Sequence, residues 1–164
     1  MKYARYIILA TLVLLQAIFG VPDIFIGRYP YWTCSMAYSF FHANWFHLAV
    51  NGIAILSVYK NSCKPCRDFV IPYIIAVIVY PLSFRPVIGF SNVLYATIGM
   101  RTPSLRSKWW RQQSVIVFLV ITIALMFIPQ FSATTHIAAF ILGMGCAALR
   151  RGYLELTKDA RRYL

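Results

Sequence analysis

Six apolar runs, at about 6 to 21, 37 to 59, 69 to 84, 91 to 100, 113 to 129 and 133 to 149, divide this chain of 164 residues. No soluble domain of that size has a use for so much apolar surface, because its outer shell must meet water. Apolar residues make up 60% of the sequence, and only four residues are acidic. Lipid, by contrast, wets the outside of a helical bundle while each helix satisfies its own backbone polar groups. The expected fold is an all-α membrane protein: a single domain over 1–164 with six transmembrane helices and a basic cytoplasmic tail from 150 to 164.

Lys2 and Arg5 ahead of the first run have the look of a secretory signal. The run continues to Val21, however, where Pro22 ends it, and no clean small-x-small cleavage site follows. A retained first helix is expected.

Charge sets the orientation. Of sixteen Lys and Arg, fourteen fall in four places: at the N-terminus, between the second and third runs, between the fourth and fifth, and at the C-terminus. Only Arg28 and Arg85 lie on the other side. That bias puts both termini in the cytoplasm. It also accounts for the net charge of +12 without nucleic acid, which would need the charges gathered on one soluble face.

The fourth run, Ser91 to Met100, rises about 15 Å as a helix, roughly half the hydrocarbon thickness. It cannot span alone. The segment before it, Pro81-Leu-Ser-Phe-Arg-Pro-Val-Ile-Gly89, reads as a loop that descends to meet it. Non-helical backbone at that depth is tolerated only inside protein or beside a wet cavity. A hydrated pocket with Ser91 at its floor follows.

Counting back from the cytoplasmic charges at about 1.5 Å per residue gives the depth of other polar residues. Ser91 lies about 15 Å above Arg101, Asn51 and His47 about 14 and 20 Å above Lys60, and His136 about 21 Å above Arg150. Polar residues from three helices thus share one layer, as a common pocket requires. His47 and Asn51, four apart, occupy one helix face. Ser91, Tyr95 and Gly99 form one stripe and His136 and Gly143 another, with glycines where two helix backbones can approach.

A serine hydroxyl becomes a nucleophile when a histidine takes its proton. The acids are Asp23, Asp68, Glu155 and Asp159. The last three sit on the cytoplasmic side and Asp23 near the outer end of the first helix, so any serine hydrolase here uses a dyad. Asn51, His47 and the Ser91 backbone N–H would then face the oxyanion. Each residue also has an ordinary reading. A serine in a membrane helix commonly bonds the carbonyl one turn back, a histidine serves as an interhelical hydrogen bond, and Tyr95 packs as an aromatic.

Three segments resemble the motifs of rhomboid intramembrane serine proteases. "HANWFHLAVN" is similar to the second-helix motif His-x-x-x-x-His-x-x-x-Asn, with His42, His47 and Asn51 in place. "GFSNVLYATIG" resembles the Gly-x-Ser-Gly segment through Gly89 and Ser91, with Tyr95 and Gly99 following, and "THIAAFILG" the last-helix motif through His136 and Gly143. The resemblance covers nearly the whole chain and implies a six-helix rhomboid-like bundle. It makes Ser91 the nucleophile and His136 the general base, packs Tyr95 on the His136 ring, and gives His47 and Asn51 to the oxyanion hole. It further implies transmembrane protein substrates, no metal and no cofactor; the expected location is the inner (plasma) membrane of a bacterium.

Departures from the pattern are few. Asn92 stands where the family usually has its second glycine, either crowding the helix start or adding a hydrogen-bond donor. Ala139 replaces a usual glycine, and Trp32 and Arg28 are out of register for the Trp-Arg pair of the first loop. His42 does not share the face of His47 and Asn51, and is assigned to ordering the first loop; Asn44 belongs to the loop as well.

Other readings are weaker. A rhomboid-like pseudoprotease that binds membrane clients rests on Asn92 alone. A proton-coupled transporter would need repeats or paired broken helices. A metalloprotease on His42 and His47 lacks His-Glu-x-x-His. Cys63-Lys-Pro-Cys66 supplies two zinc ligands where a structural site wants four, and lies on the reducing side of the membrane. The basic tail, with Tyr153, Leu154, Leu156 and Leu164, either rests on anionic lipid or stands as a solvated helix.

Overall fold

A helix too short to cross a bilayer sits at the centre of the molecule. The computed structural model describes residues 3–21, 32–59, 66–83, 87–104 and 132–160, with Ile116 and Val120. Among them the regular structure is entirely helical: α1 (Ala4–Phe19), α2 (Trp32–Ala37), α3 (Trp45–Val58), α4 (Ile71–Val79), α5 (Ser91–Arg101) and α6 (Ala133–Ala160). The expected fifth helix at 113–129 apart from Ile116 and Val120, Cys63, the side chain of Cys66, Arg28 and the side chain of Trp32 fall outside the described residues. The central helix is α5, whose 11 residues rise about 16 Å. It packs most extensively on α6, then on α4 and α3.

Local chemistry sets several boundaries that differ from the apolar runs. Instead of continuing to Val21, α1 stops at Phe19, because Gly20 takes a positive φ of 60° and its N–H returns to the Gln16 carbonyl. The run from 37 to 59 is not one helix. A short 3-10 turn, Tyr38–Phe40, follows α2, and Phe41 opens into extended backbone. The chain re-enters helix only after Asn44, whose Oδ1 accepts from the His47 N–H at 2.8 Å as an N-cap. Hydropathy registers both sides of this break as apolar and so conceals it.

The 69–84 run begins earlier, with a wide π-helical turn at Cys66–Val70, before α4 opens with Pro72 in its first turn. It tightens to a 3-10 turn at Tyr80–Leu82 around Pro81. The last helix outruns its apolar stretch by eleven residues, to Ala160. No proline interrupts 150–160, and Arg151 of the extension donates to the Pro103 carbonyl just past α5. Backbone hydrogen bonding therefore propagates past the point where hydropathy ends.

Of the described helices, one is long and apolar enough to cross a membrane, Ala133–Thr157, and only 17% of its apolar window is buried. That low burial separates it from the core helix of a soluble protein. Ile7, Leu14, Phe46, Ile53, Ile78 and Ile141 are likewise exposed on the outside. The interior holds Leu12, Tyr38, Ile55, Phe90 and Val93 around α5, with Ile75, Val79, Ala96 and Ala139 on its other flank.

Helices in lipid gain little from apolar burial against one another, so close backbone contact carries the association. Gly99 and Gly143 provide it. A methyl on Gly99 would sit 2.2 Å from the Phe140 carbonyl oxygen, and one on Gly143 2.3 Å from that of Ala96. Ala139, at the position of a usual glycine, is fully buried in the same seam, so a methyl is accommodated there.

Candidate active site

The α5–α6 seam brings Ser91 to His136. The His136 Nε2 lies 2.7 Å from the Ser91 Oγ, although the two are 45 residues apart in sequence. His136 is buried, whereas Ser91 at the mouth of α5 is partly exposed. The other ring nitrogen, Nδ1, is 2.5 Å from the Ser132 carbonyl oxygen. A carbonyl can only accept, so Nδ1 carries the proton and Nε2 presents its lone pair to the serine hydroxyl. A backbone oxygen thus does what an acid does in a triad: it holds the ring and selects the tautomer. The Tyr95 ring meets His136 edge-on, centroids 4.7 Å apart and planes at 79°, which fixes the imidazole from the side.

The segment before Ser91 is held by buried partners, as non-helical backbone inside a membrane must be. The Gly89 N–H donates to the Tyr38 carbonyl at 3.0 Å. The Phe90 N–H donates to the His42 Nε2 at 3.4 Å. No side chain caps α5, so its first turn leaves N–H groups without intrahelical acceptors beside the serine.

His47 and Asn51 flank this segment on α3. The His47 ring sits against Gly89, and Asn51 Nδ2 is next to it. One Asn51 N–H is taken by the His47 carbonyl at 3.1 Å, and a primary amide has a second. The two residues therefore converge on the backbone that leads into Ser91.

His42 reaches into the interior. It is fully buried, its N–H donates to Gln16 Oε1 of α1 at 3.2 Å, and its ring stands edge-on to His47 at 5.2 Å. It ties α1 to the backbone before Ser91, while most of the first loop that it is expected to order lies outside the described residues. Asn92 is also fully buried; it turns away from Ser91 and donates through Nδ2 to the Tyr38 hydroxyl at 2.8 Å. Donor rather than obstruction is thus the outcome for this departure.

Three contributors escaped sequence reasoning. Ser132 acts through its carbonyl, which no motif can signal. Tyr38 is one of eleven tyrosines. Gln16 left a clue, since an amide in the middle of an apolar run is expensive in lipid and needs a partner. Among the described residues no group of three or more His, Cys, Asp or Glu side chains could hold a metal ion.

A protein-family comparison matches the Rhomboid domain to residues 29–153. Comparisons with curated proteins and with solved structures give no match.

Proposed function

The chain belongs to the rhomboid family, and from that membership we propose that it is an intramembrane serine endopeptidase, one domain over residues 1–164, that cleaves transmembrane protein substrates. The observation that carries this reading is the 2.7 Å contact between Ser91 Oγ and His136 Nε2, with Nδ1 engaged by the Ser132 carbonyl. Family membership makes the protein membrane-embedded. The basic segments add the finer topology: six spans, both termini cytoplasmic, in a bacterial inner membrane.

In the proposed reaction a substrate segment with a small residue at the scissile position unwinds into the pocket. The Ser91 oxygen attacks its carbonyl carbon while His136 Nε2 takes the hydroxyl proton. Negative charge develops on the carbonyl oxygen, where the Ser91 N–H, His47 and the second Asn51 N–H stabilise it; one such donor is worth about 3–4 kcal/mol in other serine hydrolases. The imidazolium returns its proton to the leaving nitrogen as the C–N bond breaks, and an acyl-enzyme remains. Water then adds to the ester with His136 again as base, releasing the new carboxyl terminus and restoring Ser91. The chemistry calls on no metal or cofactor. Tyr95 and Gly89 support it by placing the His136 ring and the approach to Ser91.

The second reading, an inactive pseudoprotease that binds membrane clients, is favoured only by Asn92 in place of a glycine. A fluorophosphonate probe separates the two, since it marks an activated serine whatever the substrate. Ser91→Ala and His136→Ala are each expected to abolish labelling and the cleavage of a rhomboid reporter in liposomes. Undiminished cleavage by Ser91→Ala would refute the proposal.

A further inference from the structure

Tyr38 grips the chain on both sides of Ser91. Its carbonyl accepts the Gly89 N–H at 3.0 Å, two residues before the serine. Its hydroxyl accepts from Asn92 Nδ2 at 2.8 Å, one residue after, and itself donates to the Ala76 carbonyl of α4 at 2.9 Å. Tyr38 and Asn92 are both fully buried, and the Tyr38 ring is packed on Tyr80 with centroids 4.5 Å apart. Among the described residues the Asn92 Oδ1 has no hydrogen-bond partner. An amide held through one end only, in a buried site, is retained at the expense of its other end.

From this we infer that Asn92 and Tyr38 form a positioning pair, a side-chain latch that sets the rotation of the first turn of α5 and so the aim of Ser91 Oγ at His136. The inference rests on Ser91 being the nucleophile. Neither residue touches substrate; the pair acts through the backbone on either side of the serine. The latch runs from Ala76 on α4 through the tyrosine hydroxyl to α5. A glycine at 92 would keep the Tyr38 hydroxyl on the Ala76 carbonyl but cut its link to α5, leaving the helix start free of it.

Tyr38→Phe isolates the hydroxyl, because the ring and the carbonyl that holds Gly89 remain. The experiment is a double-mutant cycle on the full chain in liposomes, with Tyr38→Phe, Asn92→Gly and the double variant. Each is scored for the rate and, separately, the final extent of Ser91 labelling by a fluorophosphonate. Tyr38→Phe is expected to slow labelling about tenfold in the Asn92 parent and to have little effect in the Asn92→Gly background, as befits contacting residues. The extent at saturation should stay at the parent level, since loss of folded protein would lower extent rather than rate. Equal slowing in both backgrounds, or no slowing in either, overturns the latch while leaving the dyad intact. Failure of the parent to label at Ser91 overturns both.

Discussion

The imidazole of His47 leaves no room for a side chain on Gly89. A methyl there would lie 2.6 Å from Cε1 and 2.9 Å from Nε2, and Gly89 also adopts φ +122°. Sterics and backbone conformation thus demand glycine independently. Because this residue leads into Ser91, a demand for glycine becomes a demand on the candidate site. Gly89→Ala should carry about 1–3 kcal/mol of backbone strain plus the clash. Ser91 labelling is expected to fall about tenfold or more, and the melting temperature to drop. Adding His47→Ala should recover only part of the melting temperature, since it removes the clash and leaves the strain. Full recovery would mean that the conformation is unimportant.

The glycines of α6 separate a packing role from a tolerated one. A methyl on Gly143 meets the Ala96 carbonyl, whereas at Gly145 nothing among the described residues lies within 4 Å. Gly143→Ala should push α5 and α6 apart and destabilise the protein by about 1–3 kcal/mol. Gly145→Ala is expected to be neutral or to stabilise by up to about 0.5–1 kcal/mol. Thermal denaturation of the two variants in detergent micelles tests the contrast, and equal melting temperatures would contradict it.

Arg101 and Asp68 clamp the far end of the α5 helix. Their side chains are 3.5 Å apart, Asp68 is buried, and Arg101 lies over the Tyr59 ring and donates to the Val58 carbonyl. Arg101→Ala removes the cation 3.5 Å from a buried carboxylate. Breaking a fully buried pair costs about 3–5 kcal/mol; with Arg101 28% exposed, about 2 kcal/mol is the better expectation. Arg101→Ala combined with Asp68→Asn should regain part of that in a denaturation experiment. No recovery would show that the arginine acts through its carbonyl contact instead.

The tautomer of His136 can be read directly. Nitrogen-15 spectra of the neutral imidazole should show Nδ1 protonated and Nε2 bare, because the Ser132 oxygen can only accept. Ser132→Ala is expected to keep that spectrum and labelling within a few-fold of the parent, as the carbonyl survives the change. A shift to the Nε2–H form would remove the proposed base.

Much of the site was legible in the sequence because the bilayer is so restrictive a solvent. A polar side chain or a loop at membrane depth needs a partner, so the expected depths of His47, Asn51, Ser91 and His136 and the shortness of the fourth run pointed to one another. The stripe through Gly99 and the glycine at 143 likewise announced a close helix contact. The break between Phe40 and Trp45 was hidden, since its residues are apolar or aromatic on both sides and only the Asn44 cap marks the new start.

By itself, then, the sequence determined a helical membrane chain, a short helix beginning at Ser91 and the candidate residues for its chemistry. Patterns of solubility and spacing are written in side chains, and those are what a sequence records. Tertiary structure alone decided that a Ser132 carbonyl selects the His136 tautomer, that His42 reaches the Phe90 N–H, and that Asn92 turns to Tyr38. Those contacts use backbone atoms common to every residue, or join side chains far apart along the chain. Neither leaves a local signature, and both exist only once the helices have packed.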